Sequence, residues 1–433
     1  MAQMRLLIHN RFAHRLWLLV MLLFVVSGCG ENPTPTPPAA TPIAATPGVQ
    51  EPAASQTSVP TTNDQLVVWL PASTGIAVEG NAGAILTNAF HQFEQRYPAI
   101  RLDVQVKADS GASSLFSFLR AAQEVAPSIL PDMVLINTQQ LWQIVDLGMV
   151  TALNEEELIA GTDYFTPASN AVIYRAQTFG IPYAVDLVHL VYDAETVSAP
   201  PKTWEELLEG GEPYAFPAGE SGPTTSALLH YVAAGGELLE DGSISDPEAL
   251  EAYFTFLTEA RDLGIINIST LDMNAYSAAW RAFAEDRVDL AEVQANQFYP
   301  NMAGINPPSY TTVPTSNGDS VTIADTWAFA ILTQDSQRRE LALTLISELL
   351  APEVHGPWSQ AVARLPSQPA SLALWTQASD YQNFAQRLLD SAVIPLNGPA
   401  FADFARRLHA AQAGILRGEL TVDAAIASMV TIE

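Results

Sequence analysis

The chain has 433 residues, 19 of them basic and 47 acidic, for a formal net charge of −28. That balance argues against nucleic acid and against an anionic membrane surface as partners. The single cysteine, Cys29, excludes an intrachain disulfide, and the composition is otherwise that of a globular chain of roughly two domains.

The first sixty or so residues read as lying outside the fold. Arg5, Arg11 and Arg15 precede an unbroken apolar run from Leu16 to Val26, followed by Ser27, Gly28 and Cys29. A basic segment, a short apolar segment and small residues before a cut site make a secretory signal peptide over residues 1–28. The run falls short of the roughly 20 residues needed to span a bilayer; an uncleaved anchor helix is the alternative. The setting of Cys29 resembles the bacterial lipobox, which implies a lipidated cysteine at the mature N-terminus. Residues 29–64 follow as a tether. From Glu31 to Asp64 there are eight prolines, seven threonines and no aromatic residue. Such a segment cannot bury a core and favours extended polyproline conformations.

Leu66–Leu70 is a short apolar run stopped by Pro71, which predicts a buried strand. Ile85, Leu86, Ala89, Phe90, Phe93 and Tyr97 recur at helical spacing up to Pro98. Ile100, Leu102, Val104 and Val106 alternate with polar residues, the period of a half-buried strand. A helix is expected over 113–125, a strand over Met133–Ile136 and a helix closing at Gly148. This alternation is α/β, with ligands expected at the carboxyl ends of strands, near Trp69, Asp132 and Asn137.

Gly180 to Asp193 is a long β-branched and aromatic stretch with one carboxylate, Asp186, in its apolar middle. A buried carboxylate there is costly unless it is paired or faces a wet cavity. The stretch reads as a strand leaving one lobe, passing a cleft and entering another. Thr203 and Glu206 then form a capping box. Helices are expected over 224–234, from Asp246-Pro247 to Gly264, and around Tyr276, Trp280 and Phe283. A strand over 288–293 leads to a polar loop at 294–297. After a turn-rich return at 313–319, a buried strand is expected over 326–332 and a helix over 337–350. Most of the remainder from Tyr381 is helical, with 420–423 capping the last helix.

No catalytic signature stands in the sequence. Gly219-Glu220-Ser221-Gly222 has the wrong spacing for a nucleophile elbow. There is no His-Glu-x-x-His, no Cys/His metal spacing and no phosphate-cradling Gly-x-x-x-x-Gly-Lys. His91, His189, His230, His355 and His409 are scattered and read as core or helix-surface residues. No cofactor or metal is expected.

Several stretches resemble extracellular solute-binding proteins of ABC importers, family one, of the maltose-binding type. Phe93 to Val104 is similar to that family's "FE..YP.I.V.V" opening, Pro131-Asp132-Met133-Val134 to its "PDV", and Gly148 to Leu153 to its "GLL.PL". Gly180 to Leu207 resembles its "G.PY..D...LYYN......PPKTWDEL", Ala282 to Leu290 its "AF..GKAAM", and Gly418 to Ala425 its terminal helix start. The resemblance implies a two-lobed periplasmic-binding-protein-like fold with a ligand cleft between lobes and three interlobe crossings. It implies lobe one at 65–186 and 315–352, and lobe two at 187–314 and 353–433, with crossings at the Gly180 stretch, near 313–314 and near 350–358. It further implies a monomer that captures a sugar or oligosaccharide and delivers it to permease subunits, lipid-anchored at the extracytoplasmic face of the cell membrane. By position, Tyr183 and Asp186 match places that often face ligand, Trp327 is the stacking platform, and Arg364 follows the approach loop. Trp69, Asp132, Asn296 and Gln297 complete the expected ligand-binding set, ordinary packing being the alternative for each. A polyamine or other cationic solute, an anchored polysaccharide hydrolase and a sensor lipoprotein are the competing readings.

Overall fold

The computed structural model describes residues 65–158, 163–219, 225–302, 309–376 and 379–430. The leader, Cys29 and the tether lie outside the described residues.

A single ten-stranded sheet carries the fold. Its main path runs 101–107, 65–71, 133–137, 322–331, 181–192, 290–294, 214–215. The strand Gln65–Pro71 pairs in parallel with Arg101–Lys107 and with Met133–Asn137, as βαβ units require. The next two members run antiparallel. Thr322–Ile331 lies between Met133–Asn137 and Ile181–Tyr192 and pairs with both. The carboxyl half of Ile181–Tyr192 then takes Leu290–Gln294 as an antiparallel neighbour.

The twelve-residue strand Ile181–Tyr192 is therefore shared between two bodies, for a reason visible in its side chains. Ile181, Tyr183 and Ala184 pack in a core with Leu66, Phe93, Phe329 and Trp358. Val188 and Leu190 pack in another, with Trp204, Tyr253 and Phe404. One strand is long enough to serve both because each half finds its own apolar partners. Gly180, at its entry, sits where a Cβ would lie 3.1 Å from the Phe329 carbonyl oxygen, so the close approach of the two strands favours glycine there.

The second and third passages differ from the expected positions. Val313, Val321 and Ile323 belong to the second body's core, while Phe329 and Ile331 belong to the first. The chain thus returns inside the strand Thr322–Ile331, near 324–327, where the register also shifts between Trp327 and Ala328. The turn at 313–319 is stitched to the second body through Thr315, whose N–H donates to Lys202 O at 3.0 Å. The helix Pro352–Ala361 stays with the first body: Trp358 packs in its core and donates from Nε1 to Thr74 O at 3.1 Å. Leu365 then packs on the second body's other face, with Val293 and Phe298, so the third passage falls after Trp358.

Local signals held where they rested on backbone chemistry. Thr203 accepts from the Glu206 N–H at 3.1 Å while the Glu206 carboxylate accepts from the Thr203 N–H at 3.3 Å, the reciprocal cap. Asp246 caps Pro247–Asp262, and Gly264 follows its end at φ 77°. Of residues 294–297, expected as loop, Gln294 ends the preceding strand and the rest lie in a helical turn over Ala295–Phe298.

Candidate functional site

The two shared strands bring two carboxylates together where the bodies meet. Asp186 and Asp325 are directly opposed partners in the antiparallel register. Side chains so placed share one face of a sheet, and like charges there repel. Asp186 is fully buried, 0% exposed. Its Oδ1 accepts from Leu187 N at 3.0 Å and from Asn296 N at 3.3 Å, while Oδ2 has no partner among the described residues. Asp325 accepts from Asn137 Nδ2. Burial pushes the Asp186 carboxyl from 3.8 up to about 7, against the pull of the Arg364 charge and with a push from Asp325. The Asp325 carboxyl is raised by burial as well, opposed by Arg364 and by the Asn137 hydrogen bond. Arg364 thus answers both acids at once, leaving the trio one negative charge in excess when both are ionised.

Arg364 also lies over the half-buried Trp327 ring, 4.8 Å from its centroid. Cation and ring border a small crevice with Ser73, Thr74, Ala184 and Trp358. One aromatic face is thus occupied by the guanidinium.

A separate, larger cavity of about 440 Å³ is lined by residues of both bodies. One wall is the helix Thr138–Asp146, which Asn137 caps by accepting from Gln139 N at 2.9 Å. This wall presents Gln139, Trp142 and Asp146; the facing wall, from the second body, presents Leu228, Asn397 and Phe401. Trp142 is braced by Tyr174 at 5.1 Å, and Tyr174 donates its hydroxyl to Asp146 at 3.2 Å. Aromatic faces and short polar groups therefore meet across the junction of the two bodies. The cap residue of this helix, Asn137, is also the hydrogen-bond partner of Asp325, which ties the helix to the carboxylate pair.

The expected site residues divide. Asp186, Trp327, Arg364 and Asn296 meet at this junction, Asn296 through its backbone; Gln297 supports it by donating from Nε2 to Asn296 Oδ1 at 2.8 Å. Tyr183 does not join them. It is 1% exposed and sandwiched in the first core, ring centroids 4.6 Å from His355 and 4.5 Å from Trp358. Alternation along the strand turns it away from Asp186, so it is a packing residue. Trp69 faces the other side of the sheet, under the helix Leu115–Val125, with Lys107 Nζ 4.6 Å over its ring. Asp132 sits at the amino end of its strand, the end opposite the cleft. Its carboxylate is committed to Val67 N at 2.8 Å and Arg338 at 3.0 Å. Asp325 was overlooked in the sequence, although it carries the same signal as Asp186, an acid inside an apolar strand. Trp142, Asn397 and Phe401 had no local signal, because only tertiary packing places them together.

A cleft floored by shared strands, with polar and aromatic groups converging from both sides, defines a two-lobed binding protein. The chain belongs to the bacterial extracellular solute-binding protein family, which it matches over residues 88–385. That family is one of solute-binding proteins, not enzymes. The maltotriose-binding protein of Pyrococcus abyssi is 24% identical over 178 residues, 39% of this chain and 39% of that protein. Among solved structures, the GacH receptor of Streptomyces glaucescens, studied unliganded and with acarbose, aligns with a TM-score of 0.67 at 15% identity, over 84% of this chain and 96% of that one. The sugar-binding protein MalE of Xanthomonas citri aligns with a TM-score of 0.67 at 18% identity, over 84% and 95%. These likenesses establish the two-lobed fold.

Proposed function

We propose that the protein captures a sugar or oligosaccharide between its lobes and delivers it to the permease of an ABC importer. The observation that carries this reading is the Asp186–Asp325–Arg364 cluster, linked through Asn137 to a helix that walls a cavity with aromatic and polar lining. A buried carboxylate oxygen without a donor is an acceptor in waiting for a ligand hydroxyl, and aromatic rings offer apolar area to a sugar face. The wall from Gln139 to Asp146 is roughly 10 Å long at 1.5 Å per residue, which favours an elongated ligand. The relatives named for maltotriose and bound to acarbose support the same class.

Closure is a hinge motion at the three passages, near 184–188, 324–327 and 359–365, which places the first lobe at 65–184, 327–358 and the second at 188–323, 365–430. Ligand selects the closed form only if it binds that form more tightly. A second reading, a cationic solute, is favoured by the negative charge the trio carries once both carboxyls are ionised. Isothermal titration against maltodextrins and polyamines separates the two: tight binding of polyamines alone would sink the sugar reading.

The leader and Cys29 support export and lipidation, which place a monomeric protein at the extracytoplasmic face of the membrane. Cys29→Ser is expected to release it from the membrane fraction; unchanged retention would refute the anchor.

A further inference from the structure

The second lobe carries a groove of about 690 Å³ on its outer surface, away from the cleft residues, between the helices Trp204–Gly210 and Pro247–Asp262. Its floor is apolar. Trp204 and Phe256 lie stacked there, ring centroids 4.5 Å apart and planes 8° apart, with half-buried Leu208 and Ala252 beside them. Its rim is acidic and exposed: Glu205 and Glu209 stand on one helix, Glu251 and Glu259 on the other.

Of these four carboxylates only Glu205 serves its own helix, from the first turn, where negative charge suits the helix dipole. Glu206, not Glu205 or Glu209, serves the helix cap. Glu205 and Glu209 stand four residues apart on one helix, a like-charge spacing that disfavours it. None of the four pairs with a Lys or Arg among the described residues. The cation of the helix Pro247–Asp262, Arg261, is committed to Asp262 and to the Ile415 carbonyl. Glu251 and Glu259 lie beyond the first turn, where the helix dipole gives no return on negative charge.

We propose that this groove docks a basic amphipathic helix of a partner protein. An apolar floor inside a ring of uncompensated carboxylates is the complement of a helix with one apolar stripe flanked by Lys and Arg. The span from Glu248 to Glu259 is roughly 17 Å, three helical turns of a guest. A second copy of this chain is a poor occupant, because acids would face acids.

The test is fluorescence anisotropy of a labelled 14-residue helical peptide of Leu and Lys, amphipathic by design, titrated with the intact protein at low and moderate salt. The fourfold variant Glu205→Gln, Glu209→Gln, Glu251→Gln, Glu259→Gln is expected to weaken binding at least tenfold, and Leu208→Ser several-fold. The control variant Glu79→Gln, Glu124→Gln, Glu353→Gln, Asp390→Asn, equal in charge change and outside the groove, is expected to weaken it less than twofold. All eight acids are exposed, so both variants are expected to fold, checked by circular dichroism. Equal weakening by the two fourfold variants would reduce the effect to net charge and overturn the proposal, as would absence of binding to the unaltered protein. Self-association of the protein that Leu208→Ser abolishes would assign the groove to a second copy and overturn it too.

Discussion

Asp186→Asn tests the electrostatics of the cleft directly. The side chain is wholly buried, and burial holds its carboxyl at about 7 in place of 3.8. A carboxyl raised in the folded state gives stability that is fully present below its unfolded value, near pH 4, and is lost as pH rises through 7. The difference of about three units corresponds to about 4 kcal/mol lost across that window, at 1.36 kcal/mol per unit. Asparagine does not titrate. Its Oδ1 can still accept from Leu187 N and Asn296 N, and its amide replaces the oxygen that has no partner. The variant should therefore gain on the parent as pH rises from 4 to 7, by up to about 4 kcal/mol, and hold that gain above pH 8. Urea unfolding at pH 4, 5, 6, 7 and 8 measures the difference by linear extrapolation. A difference that stays constant across the series would refute the claim that Asp186 is held protonated by burial.

Arg364→Met removes the cation that lowers both carboxyls, so it should destabilise more at pH 8 than at pH 5; equal loss at both, in the same unfolding assay, would show that packing rather than charge is at stake. Tyr183→Phe deletes a buried hydroxyl that has no partner among the described residues and should raise stability by about 1 kcal/mol without changing ligand affinity by calorimetry. Asp132→Ala should cost about 2 kcal/mol, chiefly the bond to Val67 N since Arg338 is partly exposed, and leave affinity for ligand intact. Asp186→Ala should instead weaken ligand binding while leaving the circular dichroism spectrum native; normal binding would move the site elsewhere.

Asp186 shows how far the sequence reaches. A carboxylate inside an apolar run is costly anywhere it is buried, so its position announced a special environment before any fold was known. The same argument, applied to Asp325, would have found its partner. Tyr183, three residues away, carried an equally good positional likeness and belongs to the core. A side-chain period of two turns neighbours to opposite faces, and which face opens to the cleft is fixed only by what packs on each.

Residues 65–71, 101–107 and 133–137 formed strands where alternation and apolar runs predicted them, and Thr203 capped its helix with Glu206, because these outcomes depend on contacts a few residues apart. The sequence by itself determined the α/β alternation, the caps and the long shared strand. Where the chain returns to the first lobe, and that Trp358 stays there, were decided by tertiary packing, since no local signal in 324–327 or 352–358 tells one core from the other. The cavity joining Trp142 to Phe401 was decided the same way. Those residues lie hundreds of positions apart, and only the packing of two bodies around shared strands brings their side chains to one cavity.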